Sequence, residues 1–327
     1  MKIIVDAMGG DNAPAAIVNG CIDAILQTEG FTLMLVGDEH QIDTILKDRT
    51  YDKSRIEIHN TCEIITGDDV PTVAIKTKCD SSMVVGLNLL KENKGDAFIS
   101  AGNSGALLTG SLLLVGRIKG VIRPALGAVI PSKGKEVLLI DAGLNSECRP
   151  ESYVQFAQFG TEYYKCLFNV EKPSVGLVNI GSEDNKGMPE VKEAHQLLKN
   201  AKINYYGNIE GNDIPAGKVD VVVCNGFIGN VLLKFLEGTA KFLFGGVKET
   251  MTRNLLNKIG GAILKNDLKK FARRADPEVI GGAPVLGIEG LVMKSHGNSN
   301  AKTIMNVILK TRLLIEKEVI DHIRKCI

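Results

Sequence analysis

Ala97-Phe-Ile-Ser-Ala-Gly-Asn-Ser-Gly-Ala-Leu-Leu-Thr-Gly-Ser-Leu-Leu-Leu-Val115 passes from a short apolar run, through a glycine-rich turn, into a segment of helical period. Strand, small-residue loop and helix in that order are one half of a βαβ unit. Working outward, the same pattern recurs. β-branched runs at 3–5, 32–36, 137–140, 175–180 and 219–223 alternate with helical patterns at 14–26, 150–167, 189–198, 228–244 and 302–323. The runs are continuously apolar rather than alternating, as befits strands covered on both faces. Segments 126–130 and 137–140 are separated only by Pro131-Ser-Lys-Gly-Lys-Glu136, which is hairpin spacing, so the sheet is expected to be mixed. The expected fold is α/β, three layers α/β/α around a mixed, mainly parallel sheet.

The 327 residues suffice for two lobes or one large α/β unit. With 44% hydrophobic and 24% charged residues and a net charge of +1, the chain is of ordinary globular composition, and no general nucleic-acid binder is expected. The charge is unevenly spread: residues 241–274 carry a net +7, with Met251, Leu255, Leu256, Ile259, Ile263 and Leu264 at helical spacing among the cations. Segment 241–280 therefore reads as a protruding, basic amphipathic helical element, a packing helix pair or a membrane-surface contact. Seven cysteines without a C-x-x-C pair suggest neither a disulfide framework nor a zinc knuckle, and a reducing compartment fits. No signal peptide is expected from the Met-Lys start that leads straight into the first strand, and the uncharged run at 97–116 is too rich in Gly, Ser, Asn and Thr for a spanning helix to be expected.

Neither G-x-G-x-x-G nor G-K-[ST] occurs, H-E-x-x-H is missing, and the five histidines lack metal-ligand spacing, so no nucleotide, metal or other cofactor is expected. The glycines sit instead in five strand-end loops: 6–11, 100–105, 141–145, 181–187 and 225–230. Small residues and helix-start N–H groups suit an anion, and the five loops are expected to share one anion site. Gly102-Asn-Ser104-Gly-Ala106 differs from the G-x-S-x-G nucleophile elbow only in its last residue. Ser104 with Asp141 and His296 downstream would have the order of a hydrolase triad, so a serine thioesterase stands as an alternative. A non-catalytic acyl-chain or carrier-protein binding module is another.

The ordered strings Val5-Asp-Ala-Met-Gly-Gly-Asp11, Ile99-Ser-Ala-Gly-Asn-Ser-Gly-Ala106, Gly116-Arg-Ile-Lys-Gly120, Arg123-Pro-Ala125, Val178-Asn-Ile-Gly181, Lys186-Gly187, Gly229-Asn-Val-Leu-Leu-Lys234, Gly281-Gly-Ala-Pro284 and His296-Gly297 resemble the bacterial phosphate acyltransferase family. They run nearly the length of the chain. The resemblance implies a fold like isopropylmalate dehydrogenases and phosphotransacetylases, with intertwined subdomains within a single 1–327 unit, and a homodimer. It implies that inorganic phosphate attacks the thioester of a long-chain acyl carrier protein. The acyl phosphate then passes to a membrane-embedded acyltransferase that loads glycerol 3-phosphate for phospholipid synthesis. A cytoplasmic enzyme peripherally attached to the inner face of the membrane is expected. Two positions depart from the family pattern: Asn12 replaces the usual His, and Asn225 the usual Asp.

Two anions meet in such a transition state, so a cation and preorganised donors are the expected apparatus. Lys186 is the first candidate for the phosphate-binding cation. Asn230 is expected to hydrogen-bond phosphate or the thioester oxygen, with a helix cap as its alternative role. His296 is a candidate to protonate the leaving thiolate, with a satisfied structural histidine as its alternative role. Asn103, Ser104 and the Gly9–Gly10 backbone form the expected cradle, Asp6 orients Lys186, acts through water or is a plain turn aspartate, and Lys234 shares a helical face with Asn230 as a weaker candidate. Leu255, Leu256 and Ile259 are expected to enter the membrane surface.

Overall fold

The computed structural model describes residues 1–274 and 281–327; positions 275–280 of the expected 241–280 segment lie outside the described residues. In chain order the strands are β1 (Lys2–Asp6), β2 (Thr32–Gly37), β3 (Ile56–Asn60), β4 (Ala97–Ser100), β5 (Ala125–Pro131), β6 (Glu136–Ile140), β7 (Ser174–Val178), β8 (Asn204–Ile209), β9 (Val221–Val223), β10 (Ala283–Leu286) and β11 (Leu291–Lys294). The helices are α1 (Ala15–Gln27), α2 (Glu39–Lys47), α3 (Pro71–Thr77), α4 (Ser82–Lys91), α5 (Ser104–Gly110), α6 (Pro150–Phe168), α7 (Pro189–Lys199), α8 (Asp213–Ala216), α9 (Gly226–Thr252), α10 (Leu255–Arg274), α11 (Ala301–Glu316) and α12 (Val319–Lys325).

All eleven strands form one sheet in the order β3-β2-β1-β4-β11-β10-β5-β6-β9-β7-β8. Alternation of side chains across each strand divides the core between two faces. Ile3, Val5, Leu33 and Leu35 face α1, α6, α7 and α11, while Ile4, Met34, Val36 and Phe98 face α3, α4 and α5. Leu232, Leu233 and Leu236 of α9 pack on the second face. The three-layer α/β/α architecture with a mixed, mainly parallel sheet is thus the one expected. β5 and β6 are the antiparallel hairpin, with Gly127 opposite Ile140. The last two strands, β10 and β11, return to the middle of the sheet and seat between β4 and β5.

That return sets the geometry of the site. β1, β2, β3, β4 and β11 are mutually parallel, and β6, β7, β8 and β9 are mutually parallel. Three antiparallel pairings separate the two sets, so the sets run in opposite directions. The loops after β1, β4 and β11 therefore open at one edge of the sheet, and those after β6, β7 and β9 at the other. The five glycine loops accordingly form two clusters, not the single cluster expected, because the β5–β6 hairpin reverses the direction of the second half.

Two helical boundaries also differ from the sequence pattern. The 302–323 segment is two helices, interrupted at Glu318, whose φ of 49° no α-helix accommodates. The 228–244 pattern belongs to a longer helix that starts at Gly226 and runs to Thr252.

Candidate active site

At the first edge Asp6 is fully buried and its carboxylate is saturated. It accepts the Ser82 and Ser100 hydroxyls, each at 2.6 Å, and the Met8 N–H at 3.2 Å. Burial raises its carboxyl above the ordinary range, and the Ser100 and Ser82 hydrogen bonds partly offset that rise. Asp6 thus fastens β1, β4 and α4 together and makes no contact with Lys186, correcting the expectation that it orients that lysine. A Cβ on Gly9 would meet this carboxylate at 2.4 Å and the Gly102 nitrogen at 2.8 Å, so only glycine fits there.

Asn103 is committed in the same way. Its Oδ1 caps α5 through the Ala106 N–H at 3.0 Å, and its Nδ2 donates to the carbonyls of Thr66 and Asp69 at 3.0 and 3.2 Å. The Ser104 hydroxyl is exposed beside it and makes no side-chain hydrogen bond among the described residues. The hydrolase triad is not assembled. Asp141 lies at the other edge, where its carboxylate is filled by the N–H groups of Leu126, Gly143, Leu144 and Asn145 and by the Asn145 amide.

At the second edge Asp141 holds the loop against which α9 begins. Burial raises its carboxyl, offset by the donors just named. The Gly226 N–H donates to the Asn145 carbonyl at 2.7 Å, and a Cβ on Gly229 would sit 1.9 Å from the Asp141 carbonyl oxygen. The helix therefore touches this loop backbone to backbone. Asn225 is the cap of α9, its Oδ1 accepting the Ile228 N–H at 2.9 Å. That role needs an acceptor oxygen, which Asp and Asn supply alike, so the departure at this position preserves the cap. Asn12 likewise has a structural role, its Nδ2 donating to the Asn298 and Ser299 carbonyls.

Asn230, one turn into α9, is therefore not a cap. It is exposed next to Gly143 and makes no side-chain hydrogen bond among the described residues. Lys234 follows on the same face and pairs with Glu237 at 2.9 Å. Packed across β5 and β6, α9 runs from the second edge toward the first, so this face leads to the end of β11. There Lys294 and His296 sense the charges of Lys234 and Glu237, and His296 also that of Lys241. Burial and then the Lys294 charge depress the His296 imidazole below its ordinary value; burial and then Lys234 depress Lys294. One carboxylate oxygen of Glu237, Oε1, is buried there without a partner.

The structure thus places His296 near Lys234 on the α9 face that Asn230 begins at the second edge, and leaves Asp6 and Asn103 in the framework of the first edge. Lys186 sits at the second edge in the loop after β7, exposed, with Glu183 Oε1 at 3.7 Å; it shares that edge with Asn230 and touches neither Asn230 nor His296. Sequence reading passed over Lys294 and Glu237. The signal for Lys294 was its place at the end of β11, a four-residue strand too short to stand out. Glu237 lies three and seven residues after Lys234 and Asn230, on the helical face they define.

A two-way parallel sheet with one long helix walling a cationic cluster defines a fold of the phosphotransacetylase kind. A phosphotransacetylase from Staphylococcus aureus superposes with a TM-score of 0.62 at 15% identity, covering 96% of this chain and 94% of that one. A branched-chain phosphotransacylase from Enterococcus faecalis gives 0.59 at 11% identity, covering 96% and 99%. Residues 1–322 match the family model described as "Fatty acid synthesis protein". The chain is 55% identical over 325 residues to a phosphate acyltransferase of Acetivibrio thermocellus, covering 99% of this chain and 96% of that protein. A phosphate acyltransferase of Alkaliphilus oremlandii is 45% identical, with 99% and 96% covered. This chain belongs to the phosphate acyltransferase family and is an enzyme that transfers acyl groups to phosphate.

Proposed function

We propose that the acyl donor is a long-chain thioester of acyl carrier protein and that the product is released at a membrane surface. The observation that carries this reading is the double character of α9. Its first half walls the site, and its second half, with α10, exposes apolar side chains among cations. Phe242 is 78% exposed, Leu255 74% and Leu256 80%, with Ile259 and Ile263 beside them. Side chains of that size are left open where an apolar partner takes them up, and the surrounding lysines suit an acidic carrier protein or an anionic leaflet. Among the described residues no helix is long and apolar enough to cross a membrane, so attachment through this surface is peripheral.

Inorganic phosphate is held by Lys234, Lys241 and Lys294. A phosphate oxygen attacks the thioester carbon, and the Asn230 amide donates to the oxyanion that forms. The C–S bond then breaks and sulfur leaves with the electron pair. His296 is neutral near pH 7, the state that accepts the proton of the attacking phosphate and passes it to sulfur, with Glu237 steadying the imidazolium between the two transfers. Lys186 provides a cation at the Asn230 end, and Ser104 with the Gly9–Gly10 backbone lines the phosphate side. The protein acts as a homodimer, and its acyl phosphate supplies a membrane-embedded acyltransferase that loads glycerol 3-phosphate.

The test follows a long-chain acyl carrier protein thioester in the presence of varied phosphate, with free thiol and acyl phosphate measured separately. Equal release of both, saturable in phosphate, is expected; free thiol alone would overturn the reading. Replacing Leu255, Leu256 and Ile259 together by Gln should abolish sedimentation with anionic vesicles and leave turnover of the carrier thioester in solution intact.

A further inference from the structure

The arginines that serve the framework are saturated. Arg49 and Arg312 pair with carboxylates, and Arg55 donates to the carbonyls of Ile25, Thr28 and Phe31. Three others differ. Arg117, Arg123 and Arg149 line one cavity of about 260 Å³ together with Ile122, Glu147 and Ser152. Arg117 makes a single bond, to the Ile122 carbonyl. The guanidinium groups of Arg123 and Arg149 make no hydrogen bond or ion pair among the described residues, although the Arg149 carbonyl accepts the Ser152 N–H at 2.9 Å, and Glu147, on the same wall, approaches none of the three within ion-pair distance. With Glu147 counted, the lining carries a net charge of +2.

Two further features of the cavity point to a ligand. Ser152, one of the lining residues, is completely buried, and its Oγ has no hydrogen-bond partner among the described residues. A buried hydroxyl left unsatisfied is costly unless something completes it. The 19-residue helix α6 also starts here, with Arg149 as its cap residue, no side-chain capping bond and the exposed Glu151 as the acidic residue of its first turn. Guanidinium forks, a hydroxyl donor and a helix start are the apparatus for a phosphate group. The volume falls below the ~300–1,000 Å³ of pockets that enclose drug-sized ligands, which suits a small headgroup.

We propose that this cavity binds a phosphate group, distinct from the one at Lys234 and Lys294. Its location suggests whose. The Pro124 carbonyl, next to Arg123, accepts the Asn145 amide at 2.7 Å, and the Asn145 carbonyl accepts the Gly226 N–H at the start of α9. One loop thus joins the arginine cavity to the Asn230 end of the active site. A thioester donor whose arm carries a phosphodiester would place that phosphate among the arginines and its sulfur beside Asn230; this assignment rests on the carrier-thioester reading above, whereas phosphate binding itself does not.

Calorimetry on the full-length protein tests it, with inorganic phosphate and 4′-phosphopantetheine as probes and pantetheine as the phosphate-free control. Arg123→Gln and Arg149→Gln should each weaken a phosphate-bearing probe about tenfold or more, and Ser152→Ala less, with unchanged melting temperatures for the exposed arginine variants. A loss confined to phosphopantetheine assigns the cavity to the donor's arm, and an equal loss for inorganic phosphate assigns it to the free anion. Unaltered affinities in both arginine variants would overturn the site. Because binding is read without turnover, a protein that binds the probes but transfers no acyl group would count against the proposed function and leave the cavity standing.

Discussion

The β1–β4 edge of the sheet and the face of α9 are built from similar residues put to opposite use. At the β1–β4 edge Asp6, Ser82, Ser100 and Asn103 spend their hydrogen-bonding capacity on one another and on backbone. Along α9 the Asn230 amide is open, Glu237 keeps a buried oxygen unpaired, and three lysines crowd a half-buried histidine. A polar group whose partners are all internal stabilises a shape, whereas one left unsatisfied among cations is available to a substrate. Glycine loops mark both regions, so glycine alone does not tell framework from site.

The most severe break in this arrangement is Gly229→Ala. The added carbon would lie 1.9 Å from the Asp141 carbonyl oxygen, so α9 must lift off the loop and carry Asn230 and Lys234 with it. A misplacement of about 1 Å costs on the order of 100-fold in rate, and overpacking costs about 1–3 kcal/mol of stability. Turnover and chemical denaturation of the same preparation measure both. Wild-type activity in this variant would mean that the α9 contact does not position the site.

Next in size is the contrast between matched asparagines. Asn230→Ala should reduce kcat by about 100-fold, the loss typical of a removed oxyanion donor, with unchanged stability. Asn103→Ala should do the reverse, lowering stability by about 1 kcal/mol through loss of the α5 cap and leaving KM for phosphate unaltered. Denaturant titration beside steady-state kinetics distinguishes them. A raised KM for phosphate in Asn103→Ala would move that residue from framework to cradle.

A smaller effect is expected in the pH profile. With His296 in its proposed role as proton acceptor, the acid limb of kcat/KM should lie at lower pH than that of an ordinary imidazole, because burial and the Lys294 charge depress its pKa. Lys294 and Lys234 help to depress that pKa, so Lys294→Gln should move the acid limb toward higher pH. An acid limb that stays in place would remove His296 as the titrating group.

Much of this contrast was legible before the structure. The β-branched runs, the 126–140 hairpin and the proline-led helices follow from local pattern, whereas Asn230, Lys234 and His296 were named from motif strings as candidates, and their roles belong to the proposed mechanism. Hidden were features that arise from long-range return of the chain. β10 and β11 are four residues each and acquire meaning only by seating between β4 and β5. Whether Asp6 meets Lys186 or two serines depends on which strands are antiparallel in the centre, and no local period carries that information. Asn103 and Asn230 are alike in sequence, each just past a strand in a glycine loop; only the identity of the capping residue, Asn103 itself in one case and Asn225 in the other, separates them.

The mildest perturbation sharpens the comparison within α9 itself. Gly238 lies on the same helix as Gly229, but a Cβ there would meet nothing within 4 Å, and the residue is exposed. Its only consequence for the fold is the conformational freedom of glycine in a helix interior, worth about 0.5–1 kcal/mol relative to alanine. Gly238→Ala should therefore stabilise the protein by that amount with kcat unchanged, the opposite sign to Gly229→Ala nine residues earlier. If stiffening this point slowed turnover while raising stability, α9 would have to bend there during the cycle, and the first half of the helix could no longer be treated as a rigid wall of the site. Stability by denaturant titration and kcat on one preparation decide between the two.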